Sequence, residues 1–225
     1  WNLIKLWDGY EGWIHSFYIC FSSILYDKSI MITDRNKSVL LEKNNSINLQ
    51  IILSFGTKVP FVYKNDNMEI IFPDGKQAMI DKKLFKIDKS RSSLIILAEK
   101  LLGVPYLWGG ISSFGFDCSG FVQSVLKSLD IGIARDSKDQ YKDKRLFQIS
   151  INDVEPGDLF FFFENDKINH VGFAYGKNKI IHCSGEVKID SYNKDNADYN
   201  ERLFSNRYIA MSISNLFNSN VSRSQ

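Results

Sequence analysis

The stretch Gly115-Phe116-Asp117-Cys118-Ser119-Gly120-Phe121 sets both the fold and the chemistry of this chain. Apolar residues recur after it at helical spacing, namely Val122, Val125, Leu126 and Leu129. Cys118 is therefore expected in the first turn of a helix, where unpaired backbone N–H groups and the helix dipole favour an anion. This position predicts a thiol pKa below the ordinary value of about 8.5 and makes Cys118 a candidate nucleophile. A buried, inert cysteine is the alternative.

Two of the three histidines fall in one predicted hairpin. His170 begins a strand-like run over 170–175, and His182 ends a second run over 179–182. Because a hairpin can fold the second imidazole back onto the first, the pair is predicted to act as a base and its orienting partner. The register cannot be read from the sequence. His15 lacks such a context and is interpreted as structural.

The rest of this half predicts a mixed fold of the α+β class. The continuous apolar run 159–163 follows a turn and indicates a central strand that is covered on both faces. A helical pattern begins at Leu94 and ends at Gly103. A domain with helices packed on an antiparallel sheet is therefore expected from residue 91 to residue 225.

Composition excludes several classes of function. The 225 residues carry 28 basic and 26 acidic side chains, which are scattered, so neither a nucleic-acid partner nor an anionic membrane is supported. No apolar run is long enough to span a bilayer, and three cysteines are too few for a disulfide framework. No signal peptide is visible, but the chain opens at Trp1 and an upstream segment can have been removed. The compartment, whether cell envelope, secreted or cytoplasmic, is not readable.

The first ninety residues contain two similar strand-turn-strand segments. Their Asp-Gly turns, at Asp8 and Asp74, lie 66 residues apart, which predicts two small β-barrels of related design. The first turn, Asp8-Gly9-Tyr10-Glu11-Gly12-Trp13, resembles that of bacterial SH3-like barrels, whereas the second has Ala78 and Met79 in place of Gly-Trp. We expect the end of a first barrel over 1–28 and a second barrel with its linker over 29–90. The charged stretch 81–93 is interpreted as that linker.

Together, the motifs of the second half resemble the NlpC-type peptidoglycan cysteine peptidases, which have a papain-like α+β core. The resemblance runs from about Leu94 to Ser214. Its markers are Tyr106-x-Trp108-Gly109-Gly110, Asp117-Cys118-Ser119-Gly120-Phe121, Arg135-Asp136-Ser137-x-x-Gln140, Pro156-Gly157-Asp158, His170-Val171-Gly172 and His182. With the predicted barrels included, the layout most resembles the γ-D-glutamyl-L-diamino acid endopeptidases, which process murein peptides with a free N-terminal L-alanine.

The resemblance implies a role for each matching residue. Cys118 is the implied nucleophile, His170 the general base and acid, and His182 the residue that orients His170. Tyr106 and the Cys118 backbone N–H would face the developing oxyanion.

The remaining implied roles concern substrate binding. Asp117 would read the substrate amine, and Ser119 and Ser137 would donate to the D-glutamate carboxylate. Tyr10 would close the amine end of the site. Viewed alone, Asp117 and Ser119 can simply cap the helix and Tyr10 can be a surface residue. Arg135 can pair with a substrate carboxylate or with Asp136.

The implied substrate is a peptidoglycan-derived peptide, L-Ala-γ-D-Glu-diamino acid, and no metal or organic cofactor is required. A zinc site is disfavoured because neither C-x-x-C nor H-E-x-x-H occurs. Two alternatives stay open: an N-acetylmuramoyl-L-alanine amidase of the related papain-like group, and a non-catalytic protein that binds the cell wall. The preferred diamino acid, the oligomeric state and the physiological role are not readable.

Overall fold

The computed structural model describes residues 1–19, 26–41, 49–64, 67–80 and 87–218. The chain divides into two compact units, Trp1–Ile87 and Asp88–Gln225. The predicted boundary at residue 28 lies close to residues 20–25, and the predicted linker 81–93 begins with residues 81–86; both of these segments lie outside the described ranges. These two assignments stay predictions.

The first unit is made of short antiparallel strands. Its strands are β1 (Asn2–Lys5), β2 (Glu11–Ile14), β3 (Ser29–Met31), β4 (Asn36–Leu41), β5 (Leu49–Ser54), β6 (Lys58–Lys64), β7 (Asn67–Ile71) and β8 (Gln77–Ile80), with a 3-10 turn at Ser16–Tyr18. Strands β3 to β8 supply the apolar core of this unit, in which Ile70 is fully buried.

Both predicted hairpins are confirmed, and their turns are built alike. Asp8 and Asp74 each accept the backbone N–H of the residue two positions on, at 3.0 and 3.1 Å. Gly9 and Gly75 follow with φ of +85° and +80°, a conformation that glycine adopts without steric cost. The Asp-Gly signal therefore identified the turns correctly.

The SH3-like barrels are not confirmed. The described strands of the first unit form separate sheets of two, four and two strands, ordered β1-β2, β3-β6-β7-β8 and β4-β5, and they show no closed barrel. Closure depends on which edge strands pair across long sequence separations. A local strand-turn-strand pattern carries no information about that pairing.

The second unit has the predicted α+β architecture. Its elements are α1 (Arg91–Glu99), β9 (Ile111–Ser112), β10 (Gly115–Phe116), α2 (Cys118–Ser128), α3 (Ser137–Gln140), β11 (Phe147–Ile149), β12 (Leu159–Glu164), β13 (Lys167–Gly176), β14 (Lys179–Ser184), β15 (Glu186–Ser191), α4 (Glu201–Phe204), β16 (Tyr208–Ser212) and α5 (Ser214–Asn218), with a 3-10 turn at Ile151–Asp153. Six strands form one antiparallel sheet in the order β11-β16-β12-β13-β14-β15.

Strand β12 lies inside this sheet, as its apolar run predicted. Residues 159–163 are all buried, and the side chains alternate between the two faces. Phe160 and Phe162 pack with Phe204 on one face. On the other face Phe173 of β13 contacts Phe121 of α2 at a ring-centroid distance of 5.9 Å. The sheet thus carries helix α2 on the face opposite this aromatic cluster.

In the described part of the chain, no helix is both long and apolar enough to cross a membrane.

Candidate active site

Cys118 is the first residue of α2, as the sequence predicted. Asp117 caps the helix by accepting the Gly120 N–H on Oδ1 at 2.6 Å. The ladder between β13 and β14 begins at the pair Gly172 and His182. Val171 immediately precedes Gly172, and its backbone N–H donates a hydrogen bond to the Cys118 sulfur. The sulfur therefore lies next to the residue that follows His170.

The surroundings of Cys118 keep its thiol protonated at rest. Burial raises the pKa of Cys118 above its ordinary value, and the neighbouring Asp117 carboxylate raises it further. The backbone N–H groups of Val171 and Ser119 act in the opposite direction but do not reverse the shift. The prediction of a lowered pKa was wrong, because the sequence indicated the helix terminus but not how deeply the sulfur is buried.

The two histidines form a hydrogen-bonded pair. His170 Nε2 lies 2.8 Å from His182 Nδ1, and the rings meet edge to face with centroids 5.0 Å apart. Both side chains lie on the face of the sheet that carries Phe160 and Phe162, because Phe162 pairs with His170 and Gly172 pairs with His182. The predicted hairpin is confirmed, and its register brings the imidazoles together.

Gly172 provides the space for this pair. A Cβ built on Gly172 would lie 2.6 Å from the His182 Cβ, a separation that real Cβ atoms essentially never show. The clash partner is the first side-chain atom of His182, which cannot move without the strand. Glycine at 172 thus lets the His182 ring lie across β13 towards His170.

Asp190 extends the chain of hydrogen bonds and was missed in the sequence. His182 Nε2 lies 3.0 Å from Asp190 Oδ2, and the Asn200 side-chain amide donates to the same oxygen. Lys188 pairs with His182 across β14 and β15, so Lys188 and Asp190 share the histidine face. The alternation Lys188-Ile189-Asp190 directly after His182 was the available signal.

The charge on Asp190 decides which nitrogen carries each proton. Burial acts to raise the pKa of Asp190, but hydrogen bonds from His182 and Asn200 outweigh it and lower the pKa to about 2. An ionised carboxylate only accepts, so His182 Nε2 is protonated and its Nδ1 accepts from His170 Nε2–H. The His170 Nδ1 lone pair remains available as a base.

His170 is neutral at physiological pH. Burial, followed by electrostatic interactions with His182 and Lys188, lowers the pKa of His170 from 6.5 to about 3. Together with the raised pKa of the Cys118 thiol, this gives a resting site with a neutral thiol and a neutral imidazole.

Arg135 pairs with Asp117, a partner that the sequence analysis did not consider. Its guanidinium binds Asp117 through both nitrogens, at 2.9 Å to Oδ1 and 2.6 Å to Oδ2. The first nitrogen also donates to Ser119 Oγ at 3.0 Å, and the Gly109 N–H donates to Asp117 Oδ2 at 2.9 Å. Asp117 thus caps helix α2, accepts a hydrogen bond from the loop at Gly109 and forms an ion pair with Arg135.

Tyr106 and both histidines line a cavity of about 400 Å³. Burial, with the nearby Cys118 and Asp117, raises the pKa of Tyr106, so its hydroxyl keeps the proton that a hydrogen-bond donor needs. Ser137 is half-buried at the start of α3. Tyr10 lies in the first unit, 48% exposed beside the first Asp-Gly turn. The assigned roles of all these residues stay predictions.

Comparison with known proteins points to one family. Residues 103–208 match the model of the NlpC/P60 family. The chain is 32% identical over 181 residues to a gamma-D-glutamyl-L-lysine dipeptidyl-peptidase of Bacillus subtilis (strain 168), covering 77% of this chain and 60% of that protein. A Bacillus cereus protein of the same name is 26% identical over 190 residues, with 78% and 56% coverage.

A solved structure agrees with these relatives. The crystal structure of an NlpC/P60 family protein from Bacillus cereus matches with a TM-score of 0.68 at 25% identity, covering 81% of this chain and 62% of that one. The chain spans about 60% of the length of the curated relatives it matches.

Proposed function

The chain carries an NlpC/P60-family domain over residues 103–208, and on this premise we propose that it is a cysteine peptidase acting on cell-wall peptides. The proposed reaction is hydrolysis of the bond between γ-D-glutamate and a diamino acid, in murein peptides with a free N-terminal L-alanine. The observation that carries the proposal is the hydrogen-bonded run Asp190–His182–His170 beside the helix that begins at Cys118.

The first step is proton transfer from the thiol. Since Cys118 and His170 are both neutral at rest, His170 takes the Cys118 proton on Nδ1 as the sulfur attacks the γ-glutamyl carbonyl carbon. The imidazolium that forms is stabilised through His182 by the ionised Asp190. The Tyr106 hydroxyl and the Cys118 N–H donate to the carbonyl oxygen as it becomes negative.

The second step releases the amine. His170 returns its proton to the nitrogen of the diamino acid as the C–N bond breaks, which leaves a thioester on Cys118. A water molecule, deprotonated by His170, then attacks the thioester and releases the dipeptide L-Ala-γ-D-Glu. The thiol regains its proton from His170, so atoms and charges balance over the cycle.

The amine and carboxylate of the substrate are assigned to the start of α2. The L-alanine ammonium binds the Asp117 carboxylate, which also forms an ion pair with Arg135. Ser119 and Ser137 donate to the D-glutamate carboxylate, and the Arg135 guanidinium adds a positive charge beside Ser119. Tyr10 closes the amine end.

The test uses two substrates and one variant. The protein is incubated with L-Ala-γ-D-Glu-diaminopimelate and with a glycan-linked muropeptide, and the products are weighed by mass spectrometry. Release of L-Ala-γ-D-Glu from the free peptide alone supports the proposal. Release of whole peptide from glycan indicates the amidase, and absence of product from both indicates a binding protein.

Cys118→Ala serves as the mechanistic control. Loss of the nucleophile is expected to lower kcat by roughly ten-thousandfold, while circular dichroism and Tm stay at the wild-type values. Normal turnover by this variant would refute the mechanism.

A further inference from the structure

The cavity of about 400 Å³ that is lined by Tyr106, His170 and His182 is also lined by several polar and charged side chains. We propose that this cavity is the subsite for the leaving diamino acid, and that Arg202, which lines it, binds the free α-carboxylate. This inference rests on the function proposed above.

The general acid fixes where the leaving group lies. His170 must lie within hydrogen-bond reach of the departing nitrogen, so the part of the substrate that follows the cleaved bond lies on the His170 side of the sulfur. The cavity is lined by His170 but not by Cys118. It therefore accommodates the leaving group and not the acyl group held on the sulfur.

The charged and amide side chains that line this cavity are Glu164, Asn169, Lys188, Asn200, Arg202 and Asn206. Most of these are already engaged. Lys188 Nζ lies 3.5 Å from Asp190, Asn200 binds Asp190, Asn169 donates to Glu164, and the Asn206 amide donates to the Arg202 carbonyl.

Arg202 is the exception. Among the described residues its guanidinium forms no ion pair, although it lines the same cavity as the catalytic imidazole. Guanidinium binds carboxylate through two parallel hydrogen bonds, and a diamino acid at the end of a peptide presents such a carboxylate. Glu164, which lines the same cavity, offers a carboxylate to the side-chain ammonium of the diamino acid.

The inference predicts a preference that depends on one charge. The peptide L-Ala-γ-D-Glu-L-Lys and its α-carboxamide differ only in the carboxylate that Arg202 would bind. Wild-type kcat/KM is expected to favour the free acid by about tenfold, the loss typical of one charge-assisted hydrogen bond. In Arg202→Gln the preference should fall to within about twofold. Arg207→Gln, a matched change at an exposed arginine that does not line the cavity, should keep it.

A second variant addresses the ammonium. Glu164→Gln is expected to reduce discrimination between the lysine substrate and its Nε-acetyl form, while the preference for free acid over carboxamide persists. The opposite pattern would contradict the assignment of Arg202 to the carboxylate and of Glu164 to the ammonium.

The outcomes separate this inference from the proposed function. If the wild type cleaves both peptides equally, or if Arg202→Gln retains the full preference, the subsite assignment is wrong and the peptidase stands. If the wild type cleaves neither peptide, the proposed function fails and this inference fails with it.

Discussion

The two units of the chain differ in what they bury. Among the described residues, the core cluster of the first unit is entirely apolar, and Thr33 is the one buried polar residue there. The described part of the second unit buries eleven polar or charged residues, among them Asp117, Ser119, Gln140 and His182. Burying such groups costs free energy unless each finds a partner. In the second unit Asp117, Ser119 and His182 each form side-chain hydrogen bonds that offset this cost, and the proposed chemistry uses the same bonds.

After loss of the nucleophile itself, the largest expected effect comes from filling the space at Gly172. Gly172→Ala forces its Cβ against the His182 Cβ, so we expect kcat/KM to fall by at least about a hundredfold, since small misplacements of catalytic groups are costly. The Tm should fall by roughly 2 to 10 °C, as for other overpacked cores.

Gly132→Ala is the matched control, because no atom lies within 4 Å of the added Cβ. Enzyme kinetics and calorimetry on both variants measure kcat/KM and Tm. Wild-type activity in Gly172→Ala would show that the position of His182 is not critical.

Removal of the charge on Asp190 tests whether the buried polar network does more than maintain the fold. Asp190→Asn keeps the size but no longer fixes the protonated nitrogen of His182, so kcat should fall between about tenfold and a hundredfold with KM unchanged. A purely structural role would instead lower Tm and leave kcat intact.

Asp195→Asn, at an exposed aspartate of the same unit, should change neither kcat nor KM. If Asp190→Asn matches this control in kcat, the positioning role of Asp190 is refuted.

The protonation state of Cys118 gives a smaller, graded effect. Because the thiol pKa is raised, the thiolate fraction near neutrality is small, and it grows about tenfold per pH unit until the pKa is reached. Alkylation of Cys118 by iodoacetamide should therefore accelerate steadily up to pH 9. The rate for Cys118→Ser is subtracted as background. A plateau at or below pH 8 would show a pKa at or below the ordinary thiol value.

The smallest effect is expected in the first unit. If Tyr10 contributes a hydroxyl to the amine end of the site, Tyr10→Phe should raise KM for the free L-alanine peptide by about threefold, the cost of one neutral hydrogen bond. Tyr18→Phe, at a more exposed tyrosine of the same unit, is the control. Equal KM values for both variants would confine substrate recognition to the second unit.

Local patterns predicted local structure well. The Cys118 helix, the buried strand at 159–163 and the hairpin bearing both histidines all depend on residues near one another in sequence, and all are confirmed. The Asp-Gly turns are confirmed for the same reason.

Features that depend on distant pairings were missed. The contact of Asp190 with His182 depends on the register between β14 and β15, and the pairing of Arg135 with Asp117 depends on how the chain returns past α2. The barrel prediction is not confirmed for the same reason, since closure requires edge pairing. The pKa of Cys118 was mispredicted because the depth of burial is a property of the whole domain.

The ion pair between Asp117 and Arg135 couples positions 117 and 135, so a change at one position requires a matching change at the other. Neutralising either residue would leave its partner's charge without this ion pair, and neutralising Asp117 would also weaken the bonds that it accepts from the Gly109 and Gly120 N–H groups. A change of Asp117 alone is therefore expected to destabilise the domain whatever its effect on substrate recognition. Libraries that vary both positions jointly are the ones in which a new specificity can be selected.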